Sequence, residues 1–190
     1  MVAYQLATKV VYIQISSISS QVASDVAVAL VKFPHSNGIV LDLRDNPGGL
    51  LNVAVDVASL FLTEGTIVSY ARKNDSEVVL ESTKKKSDSA PMTVLINRST
   101  ASAAEVIAGA LQDRNRAVIL GEKSYGKGTV QEIIDLTGGS KLEITIGKYR
   151  TPSGKVIDQV GIAPDLLVPE NDSINKALLV LSGLSAITTK

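Results

Sequence analysis

Short apolar runs alternate with stretches of helical periodicity along this chain, and the alternation restricts the fold more than any other feature. Runs of strand length and β-branched composition lie at Lys9–Ser16, Gly38–Arg44, Met92–Asn97 and Arg116–Gly121. Stretches in which apolar residues recur at helical spacing lie between them, at Ser20–Phe33, Leu50–Leu62 and Ala101–Asp113. This order predicts βαβ units, in which right-handed helical crossovers join parallel strands of one sheet.

The remaining segments add an antiparallel part to this plan. Thr66–Arg72 predicts a further strand, and Glu77–Glu81 predicts a short one on the surface. Gly128–Leu136 and Lys141–Arg150 flank a glycine-containing turn, which is typical of a long antiparallel hairpin. Helical spacing returns at Ile174–Leu181, where we expect a closing helix. We therefore predict an α/β fold with parallel βαβ units and an antiparallel hairpin.

Length and composition fit a single domain and exclude several classes of function. A chain of 190 residues can bury a sizeable core, so we predict one domain over residues 1–190, with a flexible N-terminus at residues 1–8. The 19 basic and 19 acidic residues cancel, which leaves no broad positive field for nucleic acid or an anionic membrane. No apolar stretch reaches the length of a membrane span, and the N-terminus lacks the features of a secretory signal. With no cysteine and one histidine, disulfides, thiolate chemistry and multi-histidine metal sites are excluded.

Three loops that could carry chemistry follow three of the predicted parallel strands. They are Asp45–Gly49, Arg98–Ser102 and Lys123–Lys127. In an open α/β sheet, functional sites lie in the crevice beyond the carboxyl ends of the strands. We therefore expect the three loops to line one crevice.

Ser102 stands where the predicted third helix begins. Its spacing to Glu105 is that of a capping box, and this structural role is sufficient for most serines in such a pattern. The same placement suits a nucleophile, because a helix N-terminus favours negative charge and its free N–H groups can stabilise an oxyanion. Ser99 and Thr100 are rivals for both roles.

A nucleophilic serine needs a base, and the single histidine is poorly placed to supply it. His35 precedes its strand, which puts it at the sheet edge opposite the three loops. A lysine can replace histidine if burial lowers the pKa of its amine. Lys127 is a candidate because its flanking glycines let backbone pack closely around it, and Gln131 on the same side of an extended segment could hold the amine. The alternative is that Lys127 is an ordinary surface lysine in a turn.

Two other kinds of site are disfavoured. Gly121–Thr129 nearly matches a phosphate-binding loop, but Gly128 stands at the Ser/Thr position and a strand rather than a helix is predicted to follow. Acidic residues near the loops, among them Asp42, Glu105 and Asp113, could furnish a carboxylate pair or a metal site. Nothing in their spacing singles out such a site, so we expect these residues to form an ion-pair scaffold instead.

Five segments together resemble the carboxyl-terminal processing, or tail-specific, proteases. The segments are Gly38–Leu50, Asn97–Asp113, Gly121–Gln131, Tyr149–Gly154 and Gly161–Asp165. They occur in the family's order and cover most of the chain. Each motif alone is modest, but five in register are highly specific.

The resemblance implies a ClpP/crotonase-like α/β core with a serine-lysine active site. Ser102 corresponds to the nucleophile, Lys127 to the general base and Gln131 to a glutamine that orients the lysine. The oxyanion hole would be formed by the backbone N–H of Ala103 and one amide of the Gly48-Gly49 turn. Asp113 corresponds to an acidic position with a structural role.

The same resemblance implies a serine endopeptidase that cleaves polypeptides near accessible C-terminal tails in an extracytoplasmic compartment, without metal or organic cofactor. Family members carry a PDZ domain before or within the core, and the match begins at Lys9, so we expect a core without its PDZ domain. A homo-oligomer is compatible with the sequence. The alternative function is a catalytically silent or latent core that binds peptides by β-augmentation, through the Asp45–Gly49 loop and neighbouring sheet edges.

Overall fold

The computed structural model describes residues 1–72, 76–83 and 89–188. The strands are β1 (Val2–Gln5), β2 (Val10–Gln14), β3 (Gly38–Asp42), β4 (Thr66–Arg72), β5 (Glu77–Glu81), β6 (Met92–Ile96), β7 (Val118–Gly121), β8 (Thr129–Asp135), β9 (Lys141–Arg150) and β10 (Leu166–Leu167). The helices are α1 (Val22–Lys32), α2 (Leu51–Ser59), α3 (Ala103–Asp113) and α4 (Ser173–Thr188), and a 3-10 turn at Glu170–Asp172 precedes α4.

A six-stranded sheet forms the centre of the fold, in the order β1-β2-β3-β6-β7-β10. Strands β2, β3, β6 and β7 pair in parallel, as the βαβ pattern predicts. Every residue of β3 and β6 is buried, because helices cover both faces of the sheet. This double coverage explains why these strands are continuous apolar runs rather than alternating ones.

The two faces of this sheet carry different helices. Helices α1, α2 and α3 pack on one face, where the larger core cluster includes Phe61, Ile107 and Leu111. Helix α4 packs on the other face, and its Ala177 and Leu181 meet Tyr12 and Val40. The three predicted functional loops leave the sheet at the carboxyl ends of β3, β6 and β7, so the parallel arrangement gathers them at one edge.

A second, antiparallel sheet has the order β5-β4-β9-β8. The predicted hairpin of β8 and β9 is confirmed, with Asp135 opposite Lys141 next to the turn. Ile67 and Val68 of β4 join Tyr149 of β9 in the larger core cluster, which ties this sheet to α2 and α3.

Three elements differ from the sequence prediction. The N-terminal segment that we expected to be flexible contains β1, which pairs antiparallel with β2. It has only four residues, and its side chains are mostly exposed. The two-residue strand β10 is too short to have a pattern. Helix α4 continues beyond Leu181 through Ser182 and Gly183, two residues of low helix propensity.

Candidate active site

Backbone hydrogen bonds join the three predicted loops at the carboxyl edge of the central sheet. The N–H of Ala101 donates to the carbonyl of Asn46 at 2.9 Å, which joins the loop after β6 to the loop after β3. The N–H of Tyr125 donates to the carbonyl of Thr100 at 2.9 Å, which adds the loop after β7. The predicted convergence of the loops is therefore confirmed.

A fully buried asparagine shapes the loop after β3. The Asn46 amide donates to the carbonyl of Ile15 at 2.7 Å, and its Oδ1 accepts the N–H of Gly48 at 2.8 Å. Gly48 has φ +102°, and a Cβ there would lie 2.8 Å from both the Ala101 carbonyl oxygen and the Ser102 Cβ. Only glycine lets this loop approach the start of α3 so closely.

Ser102 adopts an unusual backbone conformation immediately before α3. Its φ of 55° and ψ of −123° lie outside the allowed regions for a residue with a Cβ. Such a conformation costs about 1–3 kcal/mol and persists only where the surroundings enforce it. Strained residues of this kind concentrate at functional sites, and an ordinary helix cap does not need the strain.

Glu105 links Ser102 to the loop that carries Lys127. Its side chain is fully buried, and its Oε2 accepts the N–H of Ser102 at 2.7 Å and the N–H of Lys127 at 2.9 Å. Its Oε1 accepts the Ser124 hydroxyl at 2.6 Å and the N–H of Gly126 at 2.7 Å. The backbones of the predicted nucleophile and base are thus separated by one carboxylate oxygen.

The Lys127 side chain is exposed, which differs from the expectation of a buried amine. The flanking glycines do allow close packing, because a Cβ on Gly126 would lie 3.0 Å from the Gly161 nitrogen and one on Gly128 would overlap the Asp158 nitrogen. That packing covers the backbone and leaves the side chain at the open edge. Gln131 is also exposed, and its side chain makes no hydrogen bond to any described residue.

Two backbone amides, one at the start of α3 and one in the loop after β3, have no acceptor among the described residues. The N–H of Ala103 belongs to the first turn of α3, where helices lack internal acceptors. The N–H of Gly49 is the second, whereas the N–H of the neighbouring Gly48 donates to the Asn46 side chain.

The other candidates from the sequence occupy structural roles or lie elsewhere. The Thr100 hydroxyl is buried and donates to the Leu43 carbonyl at 2.8 Å, so it is not free to attack a substrate. Ser99 is exposed, and His35 lies between α1 and β3, at the opposite edge of the sheet. The loop that resembles a phosphate-binding loop is followed by strand β8, whereas a phosphate-binding loop is followed by a helix.

Sequence reasoning missed the side chains that hold the loops in place. Asn97 is the main example: its Oδ1 accepts the N–H of Asp45 at 3.0 Å, and its amide donates to the Asp45 carboxylate at 2.9 Å. Asn46 acts in the same way within its own loop, and the Ser124 hydroxyl joins its loop to Ile162 by accepting that residue's N–H. Asparagine and serine next to a strand end are typical of turns, and that signal does not indicate which partner they bind.

Asp113 and Tyr12, both away from Ser102, are among the ionisable groups with shifted pKa values. Burial alone would raise the pKa of Asp113, but hydrogen bonds from Ser153, Thr151 and Lys155 outweigh it and hold that pKa below its usual value. Burial and the hydrogen bond to Asp42 raise the pKa of Tyr12. These groups fasten elements of the fold rather than line the crevice.

A cavity of about 640 Å³ opens at the same edge of the sheet. Its lining includes Arg98, Lys123, Leu167 and Ser124, and the last of these reaches Glu105. Among the described residues, no group of three or more acidic or histidine side chains is arranged to hold a metal ion.

Comparison with known proteins gives one consistent result. Residues 9–168 match the model of peptidase family S41. The chain is 40% identical to the carboxyl-terminal-processing protease of Synechocystis sp. over 161 residues, which are 84% of this chain and 38% of that protein. It is 38% identical to the chloroplastic carboxyl-terminal-processing peptidase 1 of Arabidopsis thaliana, over 88% of this chain and 35% of the relative.

A solved structure agrees. The photosystem II D1 C-terminal processing protease superposes with a TM-score of 0.79 at 34% identity, over 84% of this chain and 42% of that one. The likeness confirms the predicted ClpP/crotonase-like fold class. The chain spans about two fifths of the length of these relatives. On the match over residues 9–168, the chain belongs to peptidase family S41.

Proposed function

We propose that this chain is the catalytic core of a serine endopeptidase that cleaves polypeptides near their C-terminus, with Ser102 as nucleophile and Lys127 as general base. The observation that carries the proposal is the shared Glu105 oxygen, which accepts the N–H groups of both residues at 2.7 and 2.9 Å. The strained backbone of Ser102 adds support, because strain of this kind is typical of nucleophiles held ready for attack.

The reaction follows from the groups around Ser102. Its Oγ attacks the scissile carbonyl carbon while the neutral amine of Lys127 takes the hydroxyl proton. The N–H groups of Ala103 and Gly49 stabilise the oxyanion of the tetrahedral intermediate. The intermediate collapses to an acyl-enzyme as Lys127 returns the proton to the leaving amine. Lys127 then activates a water molecule that hydrolyses the ester and restores Ser102.

A bound substrate supplies the burial that the free site lacks. Lysine acts as a base only when neutral, and covering its amine with a polypeptide removes water that stabilises the charged form. The amide of Gln131 would hold the uncharged amine toward Ser102 in that covered state. Exposure of Lys127 in the free chain is therefore compatible with catalysis, since catalytic hydrogen bonds often tighten only with substrate.

The substrates and compartment are proposed from the relatives. Their names describe carboxyl-terminal processing, and three relatives from Arabidopsis thaliana are named chloroplastic. We infer that the substrates are proteins with accessible C-terminal tails and that they are cleaved outside the cytoplasm or within an organelle. None of the helices that the structure describes has the length and apolar character to cross a bilayer.

Labelling with a small fluorophosphonate tests the proposed site directly. The Ser102 Oγ–P bond forms as fluoride leaves, and intact mass measures the rate at each pH. We expect wild-type labelling to rise with pH, Ser102→Ala to abolish it, and Lys127→Ala to slow it at least tenfold. Lys123→Ala is the matched control, because this exposed lysine lies in the same loop and should leave the rate unchanged.

Two results would contradict the proposal. A folded wild-type chain that is not labelled favours the catalytically silent peptide-binding module, and full labelling of Lys127→Ala removes the lysine from the mechanism. Digestion of an unstructured protein tests the finer claim, because mass spectrometry should then find only short fragments released from its C-terminus.

A further inference from the structure

We propose that Glu105 is a positioning residue whose carboxylate sets the register between the nucleophile loop and the general-base loop; this inference rests on the proposed function. In sequence, Glu105 is the acidic partner of a capping box. That role needs one hydrogen bond, to the backbone N–H of Ser102, which is present at 2.7 Å. The other three hydrogen bonds to the carboxylate all come from the loop 124–127, about twenty residues later in the chain.

The distribution of donors over the two oxygens defines the role. Oε2 joins the N–H of Ser102 to the N–H of Lys127, and so links the two backbones directly. Oε1 accepts hydrogen bonds from the Ser124 hydroxyl and the N–H of Gly126, and so fixes the segment that leads to Lys127. The Ser124 hydroxyl in turn accepts the N–H of Ile162 at 2.6 Å, which anchors the assembly in the core.

The carboxylate has no cationic partner among the described residues, although its side chain is fully buried. Burial of an ionised group is costly unless hydrogen bonds satisfy it, and here four donors do so. A neutral amide cannot replace it. Glutamine has one oxygen, so in either orientation an NH₂ group faces the N–H of Gly126 or those of Ser102 and Lys127.

Two substitutions test the inference by the labelling reaction. Glu105→Gln keeps the shape and loses the charge, whereas Glu105→Asp keeps the charge and shortens the reach. We expect both to lower the rate constant for Ser102 labelling at least fivefold and to flatten its rise with pH. A purely structural role would lower the melting temperature without changing that pH profile.

Asp42→Asn is the matched control. Asp42 is equally buried and accepts several hydrogen bonds, but it lies on the other face of the sheet, away from Ser102. We expect this variant to lose stability and to keep the wild-type labelling rate and pH profile. If either Glu105 variant folds and is labelled like wild type, the inference is wrong and the proposed function stands. If wild type itself is not labelled, both are wrong.

Amide hydrogen exchange in the wild-type chain tests the geometry without any substitution. The N–H of Lys127 belongs to an exposed residue outside any strand, and its acceptor is Glu105. The N–H of Lys123, in the same loop, has no acceptor among the described residues. We expect the Lys127 amide to exchange at least tenfold more slowly than that of Lys123. Equal rates would overturn the inference even if the Glu105 variants do not fold.

Discussion

Two fully buried carboxylates lie on opposite faces of the central sheet and are neutralised in different ways. Asp42, at the end of β3, pairs with Arg44 through two nitrogens and accepts the Tyr12 hydroxyl at 2.5 Å. Among the described residues, the donors to Glu105, in the first turn of α3, are backbone N–H groups and the Ser124 hydroxyl. One carboxylate belongs to an ion pair, and the other belongs to a set of backbone contacts.

The difference shows what each carboxylate contributes. Arg44 extends the Asp42 pair to the start of α4, where it donates to the Ser173 hydroxyl at 2.9 Å, so this cluster fastens a helix to the sheet. Glu105 instead fixes the relative position of two loops whose side chains would react. We therefore expect substitutions in the Asp42 cluster to change the free energy of unfolding alone. Substitutions around Glu105 should change the rate of Ser102 labelling as well.

Removing the cation from the Asp42 cluster should have the largest effect on stability. Arg44→Met leaves the fully buried Asp42 carboxylate without a cation. We expect the free energy of unfolding to fall by about 3–5 kcal/mol. Chemical denaturation measures this loss. The labelling rate of Ser102 in the folded fraction should not change. A parallel fall in that rate would contradict the expectation that the Asp42 cluster affects stability alone.

The triple variant Arg44→Met/Asp42→Leu/Tyr12→Phe is the control for this result. It removes the charges and the hydroxyl together, so the backbone N–H of Arg44, which donates to Asp42 in the wild type, is the one group that loses its acceptor among the described residues. Its stability should return to within about 2 kcal/mol of wild type. If it stays as unstable as the single variant, the loss comes from packing rather than from the uncompensated charge.

Gly48→Ala should have the next largest effect. It tests the loop that approaches Ser102 rather than the Asp42 cluster. The new Cβ would lie 2.8 Å from the Ala101 oxygen at a φ of +102°, so strain and overlap act together and we expect a loss of about 3 kcal/mol. Gly138→Ala is matched in φ, at +95°, but meets no atom within 4 Å, and should lose about 1–2 kcal/mol. Labelling of Ser102 should fall only in the first variant. Equal effects on labelling would mean that the approach of this loop does not matter to the site.

Thr100→Val should have a smaller effect, through a single hydroxyl between the loops. That hydroxyl donates to the Leu43 carbonyl at 2.8 Å and accepts the N–H of Asn97 at 3.0 Å, so its loss should destabilise the fold by about 1–2 kcal/mol. Thr93→Val is the matched control, because the buried Thr93 hydroxyl has no partner among the described residues. Denaturation should show that variant unchanged or more stable. A similar loss in both would point to valine packing rather than to the hydrogen bonds.

The sequence predicted most of the helices and strands and the meeting of the three loops. Strand β4 at Thr66–Arg72 and strand β9 at Lys141–Arg150 have the predicted bounds, because local apolar composition and turns determine them. Parallel topology alone placed the loops at one edge. The individual site residues came from the resemblance to a family, since serine at a helix start and lysine beside glycine are common in structural roles.

The details of the site depend on contacts distant in sequence, which no local pattern contains. The capping-box spacing predicts the hydrogen bond from Ser102 to Glu105 but not those from Gly126 and Lys127. The two glycines after Asn46 are chemically identical in the sequence. Only the fold shows that Gly48 donates its N–H to Asn46, whereas the N–H of Gly49 has no acceptor among the described residues.

The smallest expected effect is a pH-dependent one, at the opposite end of α3 from Glu105. Asp113 accepts the N–H of Ser153 at 2.9 Å and the Lys155 amine at 3.2 Å, and such bonds hold its pKa below the usual value of 3.8. Since the folded chain binds the proton more weakly than the unfolded chain, the ionised carboxylate stabilises the fold above pH 3.8, and this contribution disappears as the pH falls through the lower, folded pKa. Asp113→Asn should lose about 1 kcal/mol at neutral pH, and its difference from wild type should shrink below pH 3.8 in denaturation experiments. A difference that stays constant down to pH 2 would show that Asp113 acts through shape and not through charge, unlike the carboxylate at the other end of its helix.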